Sequence, residues 1–163
     1  MIVVADTSVF LNLACVQQEK LLLSLYKEVF TPPEVRNEFQ RACSRYPRFA
    51  GLTFPDWIKV RPAKSFVSLP EGIVLDPGER AALALAQDIH ADLLLLDESL
   101  GRAVARSLGL RVSGMLGVLL EAKKLGDVPA LRPILEQLKI KAGFWLDDRI
   151  LSVVLGLAGE QIQ

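Results

Sequence analysis

The chain has 163 residues, 51% of them hydrophobic, and its 19 Lys and Arg balance 19 Asp and Glu. This length is typical of one domain, residues 1–163, and the balanced charge excludes a polybasic protein that holds nucleic acid through net positive charge. The two cysteines, Cys15 and Cys43, stand far apart and the chain has one histidine, which argues against a disulfide framework and against a zinc site.

Short apolar runs bounded by polar turns, Pro or Gly predict β-strands at residues 2–5, 28–31, 58–61, 93–96 and 111–113. The remaining segments predict helices at residues 8–14, 21–26, 33–45, 78–89, 100–108, 117–125, 131–138 and 147–157. Strands that alternate with helices favour an open parallel sheet, because parallel neighbours need crossover connections and these are usually helical. The predicted fold class is α/β, with a central parallel sheet of about five strands flanked by helices.

Two segments depart from this alternation. Residues 47–77 are irregular and contain several aromatic residues, so we expect an insertion that packs over the sheet edge. Residues 150–158 are apolar on all sides of their predicted helix, more than one buried face requires. This C-terminal segment is expected either to join a homodimer interface or to lie buried under the sheet.

Each of two wholly apolar strands is followed directly by an aspartate, Asp6 in the first case and Asp97 in the second. In an open α/β sheet, groups just past the carboxyl ends of adjacent strands meet in one crevice, the usual ligand site of this architecture. If the two strands are neighbours, the anions raise each other's pKa and favour a divalent metal, for which Mg²⁺ or Mn²⁺ suits oxygen ligands best. The alternative is that each aspartate only caps the helix that follows it.

Two predicted helices supply further acids. Glu38 is flanked by apolar residues, so it can border the inward face of its helix. Asp76, Pro77 and Glu79 form an Asp variant of the capping box, which is a sufficient structural reason for these residues. The other interpretation places Glu79, on the first turn of a helix of small residues, in the same crevice as the two aspartates. The two roles are compatible.

Four acidic blocks in this order resemble the PIN domain family, and most closely its VapC-like prokaryotic toxin ribonucleases, with a Gly-Glu-x-x-Ala third block and a Leu-Asp-Glu fourth block. The four blocks are Val4-Ala5-Asp6-Thr7-Ser8, Pro32-Pro33-Glu34-Val35-Arg36-Asn37-Glu38, Asp76-Pro77-Gly78-Glu79-Arg80-Ala81-Ala82 and Leu96-Asp97-Glu98. Each block alone is common by chance, whereas four in this order and at this spacing are fairly specific. The resemblance extends over essentially the whole chain.

The resemblance implies a three-layer sandwich with the parallel sheet at its centre, and an acidic cluster that binds one or two Mg²⁺ or Mn²⁺ ions to hydrolyse RNA. The catalytic and metal-binding acids that it assigns to this chain are Asp6, Glu38, Glu79 and Asp97. Ser8 matches a hydroxyl position that helps to hold the site. The third acid is commonly Asp in VapC toxins, so either Glu79 or Asp76 reaches the metal, and Glu98 either contributes or faces away.

Basic side chains near the acids are candidates for contact with the RNA backbone. Residues 36–64 hold seven basic residues against two acids, a bias that forms either a phosphate-binding rim or a solvated helix face. Arg102 and Arg106 lie four apart on the helix after Asp97, where one face can direct both toward phosphate. Together with Arg36 they are the predicted RNA-binding residues. His90 ends a helix and is better explained by the helix dipole than by catalysis.

The leading functional hypothesis is a metal-dependent endoribonuclease, the toxin of a VapBC-like toxin–antitoxin pair, with RNA, a cognate antitoxin and a second copy of the chain as partners. An antitoxin peptide with an amphipathic or Arg-bearing segment suits an acidic groove. The alternatives are a non-catalytic PIN-fold RNA-binding or scaffold protein, and an RNA-processing nuclease without an antitoxin. The N-terminus has no basic leader and no apolar run approaches the roughly 18 residues of a membrane span, so we expect a cytoplasmic protein without membrane contact.

Overall fold

The computed structural model describes residues 1–160, and residues 161–163 of the expected domain lie outside this part. Its strands are β1 (Ile2–Ala5), β2 (Glu28–Thr31), β3 (Lys59–Val60), β4 (Leu93–Leu95) and β5 (Val112–Ser113). The α-helices of the same residues are α1 (Thr7–Cys15), α2 (Lys20–Tyr26), α3 (Pro33–Arg45), α4 (Pro77–Asp88), α5 (Ser99–Ser107), α6 (Met115–Leu125), α7 (Arg132–Gln137) and α8 (Asp148–Leu157). No helix within this described part combines the length and the apolar character that a bilayer crossing requires.

The five strands form one parallel sheet in the order β3-β2-β1-β4-β5, which confirms the predicted α/β fold with a central parallel sheet. β1 lies at the centre and pairs with β2 on one side and with β4 on the other. At one end of the β1–β4 pair, the backbone N–H of Asp6 donates to the carbonyl of Leu95 at 2.9 Å. At the other end, the N–H of Ile2 donates to the carboxylate of Asp92 at 2.6 Å. The relative position of β1 and β4 is therefore fixed at both ends.

The side chains of β1 alternate between two hydrophobic cores, one on each face of the sheet. Val3 and Ala5 belong to the core that includes α1, α2 and α6, whereas Val4 belongs to the core that includes α4 and α5. All three side chains have no exposed surface. A strand buried on both faces has a continuous apolar sequence, which explains why β1 shows no polar alternation. Helices thus cover both faces of the sheet, which gives three layers.

Several element boundaries differ from those predicted. The predicted strands at 58–61 and 111–113 have only two paired residues each, in β3 and β5. α6 begins at Met115, two residues earlier than expected, and its first N–H groups lie next to the acidic crevice. The helix predicted at 131–138 is the shorter α7, because the chain continues from it into a π-helical turn, Leu138–Ala142.

The irregular segment before α4 packs against both cores at the edge of the sheet. It begins with a 3₁₀ turn, Pro47–Phe49, and it contributes the edge strand β3. Phe49 and Ile58 join the core beside α1, whereas Val67 and Leu75 join the core beside α4. The segment therefore connects the two helical layers around the β3 edge.

Candidate active site

The carboxyl ends of β1 and β4 open onto one crevice that contains two aspartates. Asp6 directly follows β1, and Asp97 lies shortly after β4. Ala5 is paired with Leu95 across the two strands, so both aspartates lie beyond the sheet at the carboxyl ends of its strands. The two strands are therefore neighbours, which is the condition on which the predicted pairing of these aspartates depends.

The helices bring further acids to this crevice. α3 supplies Glu38 and α4 supplies Glu79, while the residues just before α4 and α5 are also acidic. The acids linked to one another by electrostatic repulsion are Asp6, Glu38, Asp76, Glu79, Asp97 and Glu98. All the acids that the sequence predicted for the site thus come together, and their individual roles differ.

Asp6 is a buried carboxyl group that does not cap its helix. It occupies the N-cap position of α1 but accepts no cap hydrogen bond, and only 4% of its surface is exposed. Within residues 1–160, its Oδ1 is buried without a hydrogen-bond partner. Burial raises the pKa of Asp6 to about 7, the backbone N–H of Thr7 lowers it, and repulsion from Asp76, Glu38 and Asp97 raises it further. An N-cap hydrogen bond therefore does not explain Asp6.

Asp97 contacts the start of α6 and leaves one oxygen unpaired. Its Oδ1 accepts a hydrogen bond from the N–H of Met115 at 2.8 Å, and in the described part of the chain its Oδ2 is buried with no partner. Burial raises the pKa of Asp97, while the Met115 amide and the Arg102 guanidinium lower it. The cap of α5 is Glu98, which accepts from the N–H of Gly101 at 2.8 Å. The predicted capping of α5 thus belongs to Glu98.

Glu38 uses both of its carboxylate oxygens to join two helices. The hydroxyl of Thr7 donates to Oε2 at 2.9 Å, and the backbone N–H of Gly78 donates to Oε1 at 2.9 Å. Glu38 therefore holds the start of α1 against the start of α4. The hydroxyl that supports the site is that of Thr7, whereas the family resemblance indicated the neighbouring Ser8. The Thr7-Ser8 pair was the available signal, but which hydroxyl faces α3 depends on packing.

Asp76 and Glu79 combine the two interpretations of the segment before α4. Asp76 is the N-cap of α4, and its Oδ1 accepts from the N–H of Glu79 at 2.8 Å. Glu79 is only 7% exposed and lies among the other acids. Burial is the largest cause that raises its pKa well above the ordinary value, followed by repulsion from Asp76 and Asp6. The cap is formed, and Glu79 lies in the crevice.

Two substitutions separate the structural and the electrostatic roles of Asp76. Asp76→Asn keeps an N-cap acceptor and removes a negative charge that repels Asp6 and Glu79, so we expect stability to be kept and the pKa of both neighbours to fall. Asp76→Ala removes the cap and is expected to lower the free energy of unfolding by about 1 kcal/mol. Urea unfolding and RNA cleavage of both variants test this. A loss of cleavage in Asp76→Asn at full stability would show that the charge of Asp76 serves the site in addition to the cap.

Arg102, one of the three arginines predicted to bind RNA, lies beside Asp97. Its guanidinium lowers the pKa of Asp97, and its Nη1 lies 3.2 Å from the point where a Cβ on Gly114 would stand. Arg106 is exposed one helical turn further along α5, and Arg36 is half-buried on α3. Arg102 thus places a positive charge at one side of the acidic crevice.

The donor atoms of the crevice fit a hard divalent cation. No three acidic, imidazole or thiol side chains of residues 1–160 form a group that could hold a metal by themselves. Mg²⁺ in proteins is often bound by only one or two carboxylates and keeps several water ligands. Two aspartates are therefore enough protein ligands for this ion. The unpaired oxygens of Asp6 and Asp97 are of this type, and a cation would relieve their repulsion.

A family model described as PIN domain matches residues 2–160 of the chain. No curated protein matches the chain. The match includes every strand of the sheet and all the acids of the crevice. PIN domains are generally nucleases, and they typically use divalent metals, which agrees with oxygen donors at the ends of β1 and β4. The chain belongs to the PIN domain family.

Proposed function

We propose that the protein is a metal-dependent endoribonuclease that hydrolyses RNA phosphodiester bonds at the acidic crevice. The observation that carries the proposal is a pair of buried oxygens, Asp6 Oδ1 and Asp97 Oδ2, that have no partner among residues 1–160 and lie at the ends of neighbouring strands. A buried polar atom without a hydrogen-bond partner destabilises the folded protein by roughly 1–3 kcal/mol. Two such atoms lie here among like charges, so a bound cation would stabilise the folded protein. Membership in the PIN domain family supports a phosphodiester substrate.

Asp6 and Asp97 are the residues that would hold Mg²⁺ or Mn²⁺ in this proposal. When bound, such an ion lowers the pKa of a water molecule and neutralises charge on the phosphate. Both oxygens of Glu38 already accept hydrogen bonds from the protein, so we assign to Glu38 the positioning of α1, and with it Asp6, against α4. Arg102 is suited to contact a phosphate beside Asp97.

Glu79 is the carboxyl group best suited to hold a proton during hydrolysis. It is buried on the first turn of α4, and burial raises its pKa above the ordinary value, which favours the protonated form. A group with a pKa near the working pH can donate a proton to a leaving oxygen and take one back afterwards. Glu38 is less suited to this role, because its oxygens are engaged with Thr7 and Gly78.

Cleavage of a mixed RNA panel with Mg²⁺, Mn²⁺ or EDTA tests the proposal. The wild type is expected to cut with either metal and not with EDTA, and Asp97→Asn is expected to lose cutting while it remains folded. Asp56→Asn is the matched control, because Asp56 is an exposed aspartate outside the acidic cluster.

The two ions are also expected to raise the melting temperature more at high pH than at low pH, because a bound cation needs Asp6 ionised.

A well-folded wild type that binds RNA but never cuts it, with any metal, would contradict the nuclease proposal. That result would instead support a non-catalytic RNA-binding or scaffold protein of the same fold.

We further propose, from the resemblance of the four acidic blocks to VapC-like toxins, that the enzyme is the toxin of a toxin–antitoxin pair that acts on cytoplasmic RNA. An arginine of an antitoxin peptide can form charge-assisted hydrogen bonds with the crevice acids and block the site. Co-expression with the product of a neighbouring small gene is expected to suppress both growth arrest and RNA cleavage. If no neighbouring gene product inhibits the enzyme, the RNA-processing role without an antitoxin is favoured.

We also propose that a second copy of the chain covers α8. Val154 and Leu155 of this helix are buried, whereas Ile150, Val153 and Leu157 are 43%, 56% and 71% exposed. Burial in the monomer therefore accounts for only one side of the apolar helix. Sedimentation at micromolar concentration is expected to give a dimer for the wild type and a monomer for Val153→Asp. A monomeric wild type would contradict this assignment.

A further inference from the structure

A partly exposed aromatic ring lies at the end of α3 with two arginines beside it. Tyr46 is 40% exposed, and the guanidinium carbons of Arg45 and Arg48 lie 5.5 Å and 5.0 Å from its ring centroid. Arg48 also lies 4.9 Å from the ring centroid of Phe49. These cation–π distances hold planar guanidinium groups beside aromatic rings. The chain thus presents aromatic rings and positive charge together at one point of its surface.

A second exposed ring with its own cation lies after the π-helical turn. Trp145 is 71% exposed, and Lys139 places its Nζ 4.6 Å from the centroid of the indole ring. A side chain of this size usually gains stability by burial, so its exposure is a cost to the folded monomer. A large exposed ring paired with a cation is a common feature of surfaces that bind another molecule.

The two ring–cation groups lie on adjacent parts of the structure. The 3₁₀ turn that contains Arg48 packs against the π-helical turn. A Cβ on Gly143, which follows that turn, would stand 3.9 Å from Nη1 of Arg48. Lys141 and Arg48 are also both near Cys15, whose thiol pKa is raised by burial and lowered by these two cations. The segments that carry Tyr46 and Trp145 therefore lie side by side, and we call their exposed rings and cations the basic aromatic surface (Arg45, Tyr46, Arg48, Lys139 and Trp145).

An open groove lies along the exposed face of α3, between Glu38, one of the crevice acids, and Tyr46 of the basic aromatic surface. It has a volume of about 650 Å³ and is lined by residues of α3 and by Tyr46, among them Arg41 and Arg45. Along a helix that rises ~1.5 Å per residue, Glu38 and Tyr46 are about 12 Å apart. This length matches roughly three or four stacked nucleotides. A strand that leaves the acids along this groove would thus reach the first of the two rings.

We infer that the basic aromatic surface and the groove along α3 bind the single-stranded part of a nucleic acid that extends out of the acidic crevice. The inference rests on the nuclease function proposed above, and it adds where the strand lies and that it is unpaired. Arginines and lysines neutralise phosphates, while exposed rings stack on bases and accept any base sequence. Bases in a duplex are already stacked on each other and are not free to pack on Tyr46 or Trp145.

Binding in EDTA tests this surface without cleavage. The probes are fluorescein-labelled single-stranded RNA and DNA of about 12 nucleotides, with a duplex RNA of the same sequence, measured by fluorescence anisotropy. Tyr46→Ala and Trp145→Ala are each expected to weaken single-strand binding about fivefold or more, and Tyr46→Phe and Trp145→Phe to retain it. Arg48→Ala is expected to lower the slope of log affinity against log salt by about 0.7. Phe66→Ala is the matched control, because Phe66 is 94% exposed and lies outside the surface.

Each outcome decides the inference. It is overturned if the wild type binds neither single strand, if it prefers the duplex, or if both alanine variants bind like Phe66→Ala; a protein partner would then be the better occupant of these rings. Comparable binding of single-stranded RNA and DNA supports the surface. It would also mean that discrimination between RNA and DNA takes place in the acidic crevice. Because binding is measured without metal and cleavage with it, the two proposals can fail separately. If the alanine variants bind more weakly but the wild type never cuts RNA, this surface is supported and the nuclease proposal is rejected. If the wild type cuts RNA but the alanine variants bind normally, the nuclease proposal is supported and this surface is rejected.

Discussion

Asp6→Asn is expected to remove RNA cleavage and, at the same time, to stabilise the metal-free protein at high pH. The loss of activity follows from the unpaired Oδ1 of Asp6, which the variant replaces by an uncharged amide. Removal of one group that stabilises charge at an active site typically lowers the rate about 100-fold or more. Initial rates of cleavage with Mg²⁺, compared with those of Asp56→Asn, measure this effect.

The gain in stability follows from the pKa of Asp6, which is about 7 in the folded protein against 3.8 as its ordinary value. Between these values the folded chain keeps a proton that the unfolded chain has lost, so the stability of the wild type falls as the pH rises through this window. The cost reaches at most about 4 kcal/mol above pH 7. Asparagine has no such charge, so the variant should exceed the wild type most at high pH and least near pH 4.

Urea unfolding in EDTA at about pH 4.5 and about pH 8 measures this difference. If Asp6→Asn is less stable than the wild type at both values, the unpaired carboxyl group is not a source of strain in the folded protein. If the variant still cuts RNA at the wild-type rate, Asp6 has no part in the reaction.

Gly78→Ala and Gly114→Ala are expected to damage the same site through a single added methyl group. A Cβ on Gly78 would stand 2.7 Å from the carboxyl carbon of Glu38, closer than van der Waals contact allows. A Cβ on Gly114 would overlap Oδ1 of Asp97 and approach Arg102. Because both carboxylates are held by hydrogen bonds, neither can yield without loss of a contact. We expect each variant to lose about 1–3 kcal/mol of stability and most of its cleavage activity.

Gly156→Ala is the matched control for these two variants. Gly156 lies in α8, and a Cβ at this position meets no atom of residues 1–160 within 4 Å. Since alanine favours a helix over glycine, we expect this variant to be about 0.5–1 kcal/mol more stable and fully active. Thermal unfolding and cleavage rates of the three variants are compared under the same conditions. Wild-type activity in both Gly78→Ala and Gly114→Ala would show that the acids tolerate displacement.

The part of the site that the sequence predicts depends on short-range rules. An apolar run followed by aspartate, found twice, is enough to place Asp6 and Asp97 at one sheet edge once β1 and β4 are neighbours. The cap of α4 is equally local, because Asp76 and the N–H that it accepts are three residues apart. The helix α3 has the predicted boundaries because prolines precede it and its apolar positions repeat with helical spacing.

The rest of the site depends on contacts between residues that are distant in the chain. Thr7 reaches Glu38 only because α1 packs against α3, and nothing in the local sequence distinguishes this hydroxyl from that of Ser8. The same holds for Asp97, whose partner is the start of α6 rather than the helix directly after it. The neighbouring positions of Tyr46 and Trp145 also arise from packing between two turns, which no local pattern reports.

The central position of β1 has a consequence for the unfinished chain. Val3 pairs with Val29 on one side, but its partner on the other side is Leu93, so translation must pass the middle of the chain before β1 is enclosed. Until then, a strand whose side chains are apolar on both faces has one unpaired edge, the kind of edge that recruits other chains. Nascent or truncated chains that end before β4 are therefore expected to aggregate, and they hold Asp6 without Asp97. The ribosome thus releases the two aspartates in sequence, and a partly made copy lacks one of the two residues to which we assign the metal.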